Sequence, residues 1–153
     1  MYYFSIVFLV FLDQLTKYLI SSRMYVGQSV EIAPFFHLSY VTNTGIAFSL
    51  FQQGNVIFII VTALALIAMA VWHQRSTEPR CSWLSCALML VFSGASGNLI
   101  DRVFRGAVVD FLDVSAGTYH WPAFNVADSC ISIGGILLMV MLLRNDAHVS
   151  RSR

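Results

Sequence analysis

FNVADSCISIGGILLMVMLL, residues 124–143, decides how this chain folds. Most of it suits hydrocarbon, and a bilayer core of about 30 Å needs roughly 20 helical residues to cross. Its first turn nevertheless carries Asn125 and Asp128. Asn125-x-x-Asp128 resembles a capping box, with Asn125 as N-cap and the acid reaching back over the first turn. A negative charge there also suits the helix dipole. Asn125, Asp128, Ser129 and Ser132 share one helical face, however, a longer polar stripe than a cap requires. Taken by itself, this helix favours capping over chemistry, so its partners have to be sought elsewhere in the chain.

The whole chain fits lipid. Of its 153 residues, 58% are hydrophobic and 11% charged, against about 25% charged in a soluble domain. Mean hydropathy is +0.72. The length suits one domain, and a net charge of +1 gives nucleic acid no basic surface to bind. Cys81, Cys86 and Cys130 have neither zinc-site nor disulfide spacing. Three further apolar runs, 2–22, 55–72 and 82–100, join 125–143 as expected membrane helices. The first has no basic n-region and is interrupted by Asp13 and Lys17, so it reads as a retained span rather than a signal peptide. Four spans put both termini on one side. Arg75, Arg80, Arg144, Arg151 and Arg153 outnumber Arg23, Arg102 and Arg105 across the membrane, which points the termini to the cytoplasm. Loops 23–54 and 101–124 then face outward.

In the first loop, residues 35–42 are β-branched and aromatic, punctuated by Gly27, Pro34 and Asn43-Thr44-Gly45, and suggest a short strand or hairpin. Residues 46–51 suit a brief amphipathic element along the membrane surface. The second loop has no clear pattern beyond Ala107-Val108-Val109, and the tail from Asn145 is expected to be short and poorly ordered. Trp83 and Trp121 suit interfacial anchors, and the four histidines form no ligand pattern.

Charged groups inside a span are functional candidates by default. Asp13 and Lys17, four residues apart with the acid first, suit an ion pair from which Lys17 snorkels outward. The third span ends in Ser93-Gly94-Ala95-Ser96-Gly97-Asn98-Leu99-Ile100-Asp101-Arg102, where small residues permit close approach and Asn98, Asp101, Arg102 and Arg105 share a face. Taken alone, that pattern favours a packing seam ending in a salt bridge at the interface. Upstream of the fourth span, Asp110 is embedded in Gly106-Ala107-Val108-Val109-Asp110-Phe111-Leu112-Asp113, at the same expected depth as Asp128. Two carboxylates in a poorly hydrated site do not both ionise, and such a pair can activate water with one member and protonate a leaving group with the other. Spacing alone does not choose between Asp110 and Asp113.

Five stretches in order resemble the lipoprotein signal peptidase (signal peptidase II) family, bacterial aspartyl peptidases of the inner membrane. They are Asp13-Gln14-Leu15-Thr16-Lys17, Asn43-Thr44-Gly45-Ile46-Ala47-Phe48-Ser49, Gly94-Ala95-Ser96-Gly97-Asn98-Leu99-Ile100-Asp101-Arg102, Gly106-Ala107-Val108-Val109-Asp110-Phe111 and Phe124-Asn125-Val126-Ala127-Asp128-Ser129. Ile46 and Ser96 depart from the family's usual alanine and leucine. The resemblance implies an all-α integral membrane fold of four helices with a small extracytoplasmic β-sheet cradle and a short periplasmic helix. It implies Asp110 and Asp128 as the catalytic pair, with Asp113 a bystander. Asn43, Gly94, Asn98, Arg102 and Asn125 would orient substrate or support the pair, and Asp13 with Lys17 would be structural. The implied substrate is a diacylglyceryl-modified prolipoprotein, cut on the amino side of its lipidated cysteine near the periplasmic face, by a monomer among membrane lipids with no metal and no cofactor. Two rival readings are a proton-coupled carrier using Asp13, Asp101 and Asp128, and a Mg²⁺-dependent enzyme using Asp110, Asp113, His120 and Asp128. The acids gather toward one face rather than staggering across the bilayer, and no phosphate-cradling motif accompanies them.

Overall fold

Among the described residues, four helices are long and apolar enough to cross a membrane: α1 (Tyr2–Arg23), α2 (Asn55–Arg75), α3 (Trp83–Phe104) and the Val126–Arg144 part of α4 (Val126–Arg151). The structure, a computed structural model, describes residues 2–45, 55–77, 79, 82–117 and 119–151. The amphipathic element expected at 46–51 lies outside them. Between α1 and α2 run β1 (Ser29–Ala33) and β2 (Phe36–Asn43); between α3 and α4 run β3 (Val108–Ala116) and β4 (Tyr119–His120). The strands form one antiparallel sheet in the order β1-β2-β3-β4. Because both inter-helix segments join the same ends of the bundle, the sheet sits at one end of it.

Three sequence expectations need correction. The third helix does not stop at 100 but runs to Phe104, because Asp101 is fully buried against α1 and Arg105 N–H caps the Asp101 carbonyl at 2.7 Å. Asp101 and Arg102 are therefore helix residues and not part of a loop. Gly106, at φ 77°, then turns the chain into β3. The second loop, which has no strand signature, pairs β3 along the length of β2, with His37 opposite Asp113 and Val41 opposite Asp110. A strand buried along most of its length need not alternate, which hides it from periodicity. The segment after Asn145 continues α4 to Arg151, since neither Gly nor Pro interrupts it.

The interior is polar and the exterior apolar, the reverse of a protein folded in water. Lys17, Asp13, Asp101, Asn125, Ser85 and Ser93 are among the largest fully buried side chains, while Phe4, Phe11, Ile57, Leu64, Ile136 and Leu142 are exposed. Hydrocarbon reproduces this preference, since an apolar side chain loses nothing by facing lipid and an ion has to be enclosed. Helices α3 and α4 pack through glycine. A Cβ at Gly94 would collide with the Ala127 carbonyl, one at Gly97 would press on the Asp13 carboxylate, and one at Gly134 would stand 2.7 Å from the Ala87 carbonyl.

Adjacent glycines give an internal control. Gly134 has no room for a methyl group, whereas among the described residues nothing outside the backbone of its own helix lies within 4 Å of the Cβ position at Gly135. Gly135→Ala should leave the unfolding temperature in detergent unchanged or raise it, in line with the gain of about 1 kcal/mol for Ala over Gly in a helix. Gly134→Ala should lower it. Equal shifts would contradict the close α3–α4 contact.

Candidate active site

Lys17 is completely buried and does not snorkel. Its Nζ lies 2.9 Å from Asp13 Oδ2, 3.0 Å from Asp101 Oδ2 and 2.8 Å from Asn98 Oδ1, so all three ammonium hydrogens have acceptors. The two carboxylates have further partners. Asp13 Oδ1 accepts Ala127 N–H at 2.9 Å and Asp101 Oδ2 accepts Val109 N–H at 3.1 Å, while Arg105 pairs with Asp101 Oδ1. Gln14 Nε2 reaches Asp13, Asp101 and the Gly97 carbonyl, each at 3.1 Å. Ala127 precedes Asp128 and Val109 precedes Asp110, so this ionic cluster grips the backbone beside both candidate carboxylates.

Three asparagines complete the placement, and each works the same way. Asn98 Oδ1 is occupied by Lys17, so its Nδ2 faces Asp128 Oδ1 at 2.8 Å. Asn125 Oδ1 accepts Asp128 N–H at 2.9 Å, so its Nδ2 meets Asp110 Oδ1 at 2.7 Å. Asn43 Oδ1 accepts Gly45 N–H at 2.9 Å, so its Nδ2 meets Asp110 Oδ2 at 3.1 Å. With each amide oxygen engaged by an N–H, each amide can only donate toward an aspartate. Asn125 Nδ2 also lies 3.3 Å from Asn98 Oδ1, joining the two carboxylates through one chain of amides.

Asp128 also accepts Asn125 N–H through Oδ2 at 3.2 Å. The capping box expected from the sequence is therefore present, and its acid is also the one that meets Asn98. Cap and candidate site are one arrangement. The strand bearing Asp110 is held to the entrance of α4 by Phe111 and Leu112 N–H groups that both donate to the Phe124 carbonyl, at 3.0 and 2.8 Å.

Asp110 and Asp128 line a cleft of about 1060 Å³ together with Asn43, Asn98 and Arg102, and apolar side chains such as Ile131 continue it along α4. Burial, reinforced by the negative charge of Asp128, pushes the Asp110 carboxyl up to about 7 despite the donors from Asn43 and Asn125. Arg102 donates from Nη2 to the Gly45 carbonyl at 3.0 Å and lies 5.5 Å from the Phe58 ring centre; its buried Nε has no partner among the described residues. Gly94 packs against the first turn of α4. Asp113 belongs to a different set of contacts, with Ser39 and His120. Gln14 stands in the sequence as one more polar residue of the Asp13–Lys17 stretch with no role assigned, because its partners on α3 lie more than 80 residues away.

Comparison with known proteins shows the family. A family model for signal peptidase (SPase) II matches residues 5–144. A lipoprotein signal peptidase of Symbiobacterium thermophilum is 45% identical over 136 residues, 88% of this chain and 89% of that one. One from Geobacter metallireducens is 43% identical over 154 residues, covering 97% and 94%. One from Staphylococcus aureus is 38% identical over 143 residues, covering 93% and 87%. A solved bacterial membrane enzyme superposes with a TM-score of 0.88 at 36% identity, over 96% of this chain and 90% of that chain. A second gives 0.82 at 38% identity, over 93% and 92%.

Removing one member of a buried ion cluster leaves uncompensated charge, at a cost of about 3–5 kcal/mol. Lys17→Met should therefore lower stability in detergent by roughly that amount, whereas Leu64→Ala, on a lipid-facing position, should change it little. Similar losses in the two variants would show that the cluster is not what holds the bundle.

Proposed function

The chain belongs to the signal peptidase II family, and we propose that it is a single-domain aspartic endopeptidase that removes signal peptides from diacylglyceryl-modified lipoprotein precursors. The observation that carries this reading is the placement of Asp110 and Asp128 on one cleft, each held by asparagine amides. A buried pair of this kind holds one proton between its members near neutral pH. The ionised member takes a proton from water as the water attacks the scissile carbonyl. The protonated member donates to the carbonyl oxygen, then a proton passes to the leaving amine. No step calls for a metal or cofactor.

The cleft suits the substrate's position. A signal peptide is an apolar helix and the diacylglyceryl cysteine is anchored in lipid, so the bond between them lies close to the membrane boundary. Asp128 sits on the first turn of α4 and Asp110 on the strand beside it, at the sheet end of the bundle. Asn43 and Asn98 line the cleft, and the second hydrogen on each amide is a donor for substrate carbonyls. The arginines at 75, 80, 144, 151 and 153 favour cytoplasmic termini, which puts the sheet and cleft at the outer face of the inner membrane. Both carboxylates come from one chain, so a monomer suffices.

Cleavage of a diacylglyceryl-modified precursor by purified protein tests the reading. Asp110→Asn and Asp128→Asn should each lower the rate at least about 100-fold, the scale of general acid–base catalysis, while remaining folded. Glu31→Gln, an exposed acid on β1, should cut at the wild-type rate. Full activity in Asp128→Asn would reduce Asp128 to a helix cap. The rate should also depend on pH in a definite direction. Above about 7 Asp110 loses its proton and both carboxylates are charged, so the rate should fall; at acid pH both are protonated and no base remains. A rate still rising beyond about pH 8 would contradict a shared proton.

A further inference from the structure

His37, Asp113 and His120 are far apart in sequence but neighbours on the sheet. His37 stands directly opposite Asp113 in the β2–β3 pairing. His120 stands opposite Ser115, two residues along β3 from Asp113. Residues two apart on a strand share a face, and cross-strand partners point the same way, so three strands deliver these side chains to one side of the sheet. One donor atom from each lies within 4.8 Å of the other two. The histidine rings are 5.4 Å apart, and His120 Nδ1 is 2.8 Å from Asp113 Oδ1. Asp113 Oδ2 accepts from the Ser39 hydroxyl at 2.9 Å, which itself lies 2.8 Å from the Ser29 hydroxyl. Among the described residues, the buried His37 Nδ1 has no hydrogen-bond partner.

We propose that His37, Asp113 and His120 form a binding site for a divalent transition metal of the zinc class, which borders the same cleft as the aspartate pair but shares no residue with it. Zinc accepts imidazole nitrogen and carboxylate oxygen at about 2.0–2.2 Å, which puts tetrahedral donors about 3.3 Å apart. The three donor atoms, within 4.8 Å of one another, have to close to that spacing when metal binds. Two imidazoles select zinc, nickel or copper over Mg²⁺ and Ca²⁺, which prefer oxygen. Three protein ligands leave a fourth position for water. Ser39 holds the second Asp113 oxygen, the outer contact that orients a ligating carboxylate. Metal bound here ties β4 to β2 and β3, and braces Trp121, Pro122, Ala123 and Phe124, which follow His120 and line the cleft.

The test is calorimetric titration of the full-length protein in detergent, stripped by chelator, with zinc chloride. Wild type should take up about one equivalent, and His37→Asn and His120→Asn should each bind at least about tenfold more weakly, since even an outer-sphere loss costs that much. His73→Asn, on α2 where its ring stacks on Tyr2 at 4.5 Å, should bind as wild type does. His120 is half exposed, so its variant should stay folded and elute unchanged from gel filtration. Cobalt(II) should give the wild type a visible absorption band that His120→Asn lacks. No zinc uptake by the wild type, or equal uptake by folded His120→Asn, would overturn the proposal.

Discussion

The enclosure of Lys17 is the constraint on which the rest of the structure depends. An ammonium with no access to water requires acceptors for every hydrogen, and here they come from Asp13 on its own helix and from Asp101 and Asn98 on α3. Each acid that neutralises it also accepts a backbone N–H, Asp13 through its other oxygen from Ala127 in α4 and Asp101 through the same oxygen from Val109 in β3. One charge thus fixes two helices, the start of a third and the strand between them. The glycines at 94 and 97 are what permit α3 to come close enough for this. In lipid, where apolar contact between helices gains little over contact with hydrocarbon, such a cluster supplies specificity that a soluble core obtains by packing.

The placement of the aspartates follows from it. Lys17 takes the oxygen of Asn98 and leaves the amide nitrogen to Asp128. Asp128 engages the oxygen of Asn125 and leaves that nitrogen to Asp110. Direction is transmitted from one amide to the next, so a structural ion cluster also orients the two carboxylates. Their burial raises the energy of two negative charges side by side, and the protein retains the strain because a pair that shares one proton can act as base and acid together.

Much of this was legible in the sequence, and the reasons for the gaps are physical. The spans stand out because a helix in lipid must be apolar for roughly 20 residues. Asp13, Lys17, Asp110 and Asp128 stand out because hydrocarbon makes charge conspicuous. What spacing could not show was which polar groups meet. Lys17 reads as a snorkelling end until Asp101, 84 residues away by number, encloses it. Asp110 and Asp113 are equivalent by composition; only the β2–β3 register sends one to Asn43 and the other to Ser39 and His120. The histidines, patternless along the chain, become a cluster through the same pairing. β3 was invisible because its burial erased the alternation that marks a half-exposed strand.

The central claim is that Asp110 and Asp128 feel each other across one cleft. The titration of Asp110, followed by the carbon-13 resonance or infrared band of its carboxyl in the detergent-solubilised protein, tests this most directly. In the wild type it should titrate near 7, because of burial and the neighbouring charge. In Asp128→Asn the burial persists and the charge is gone, so the midpoint should move down. A midpoint that is the same in both proteins would mean that the two carboxylates do not share a site.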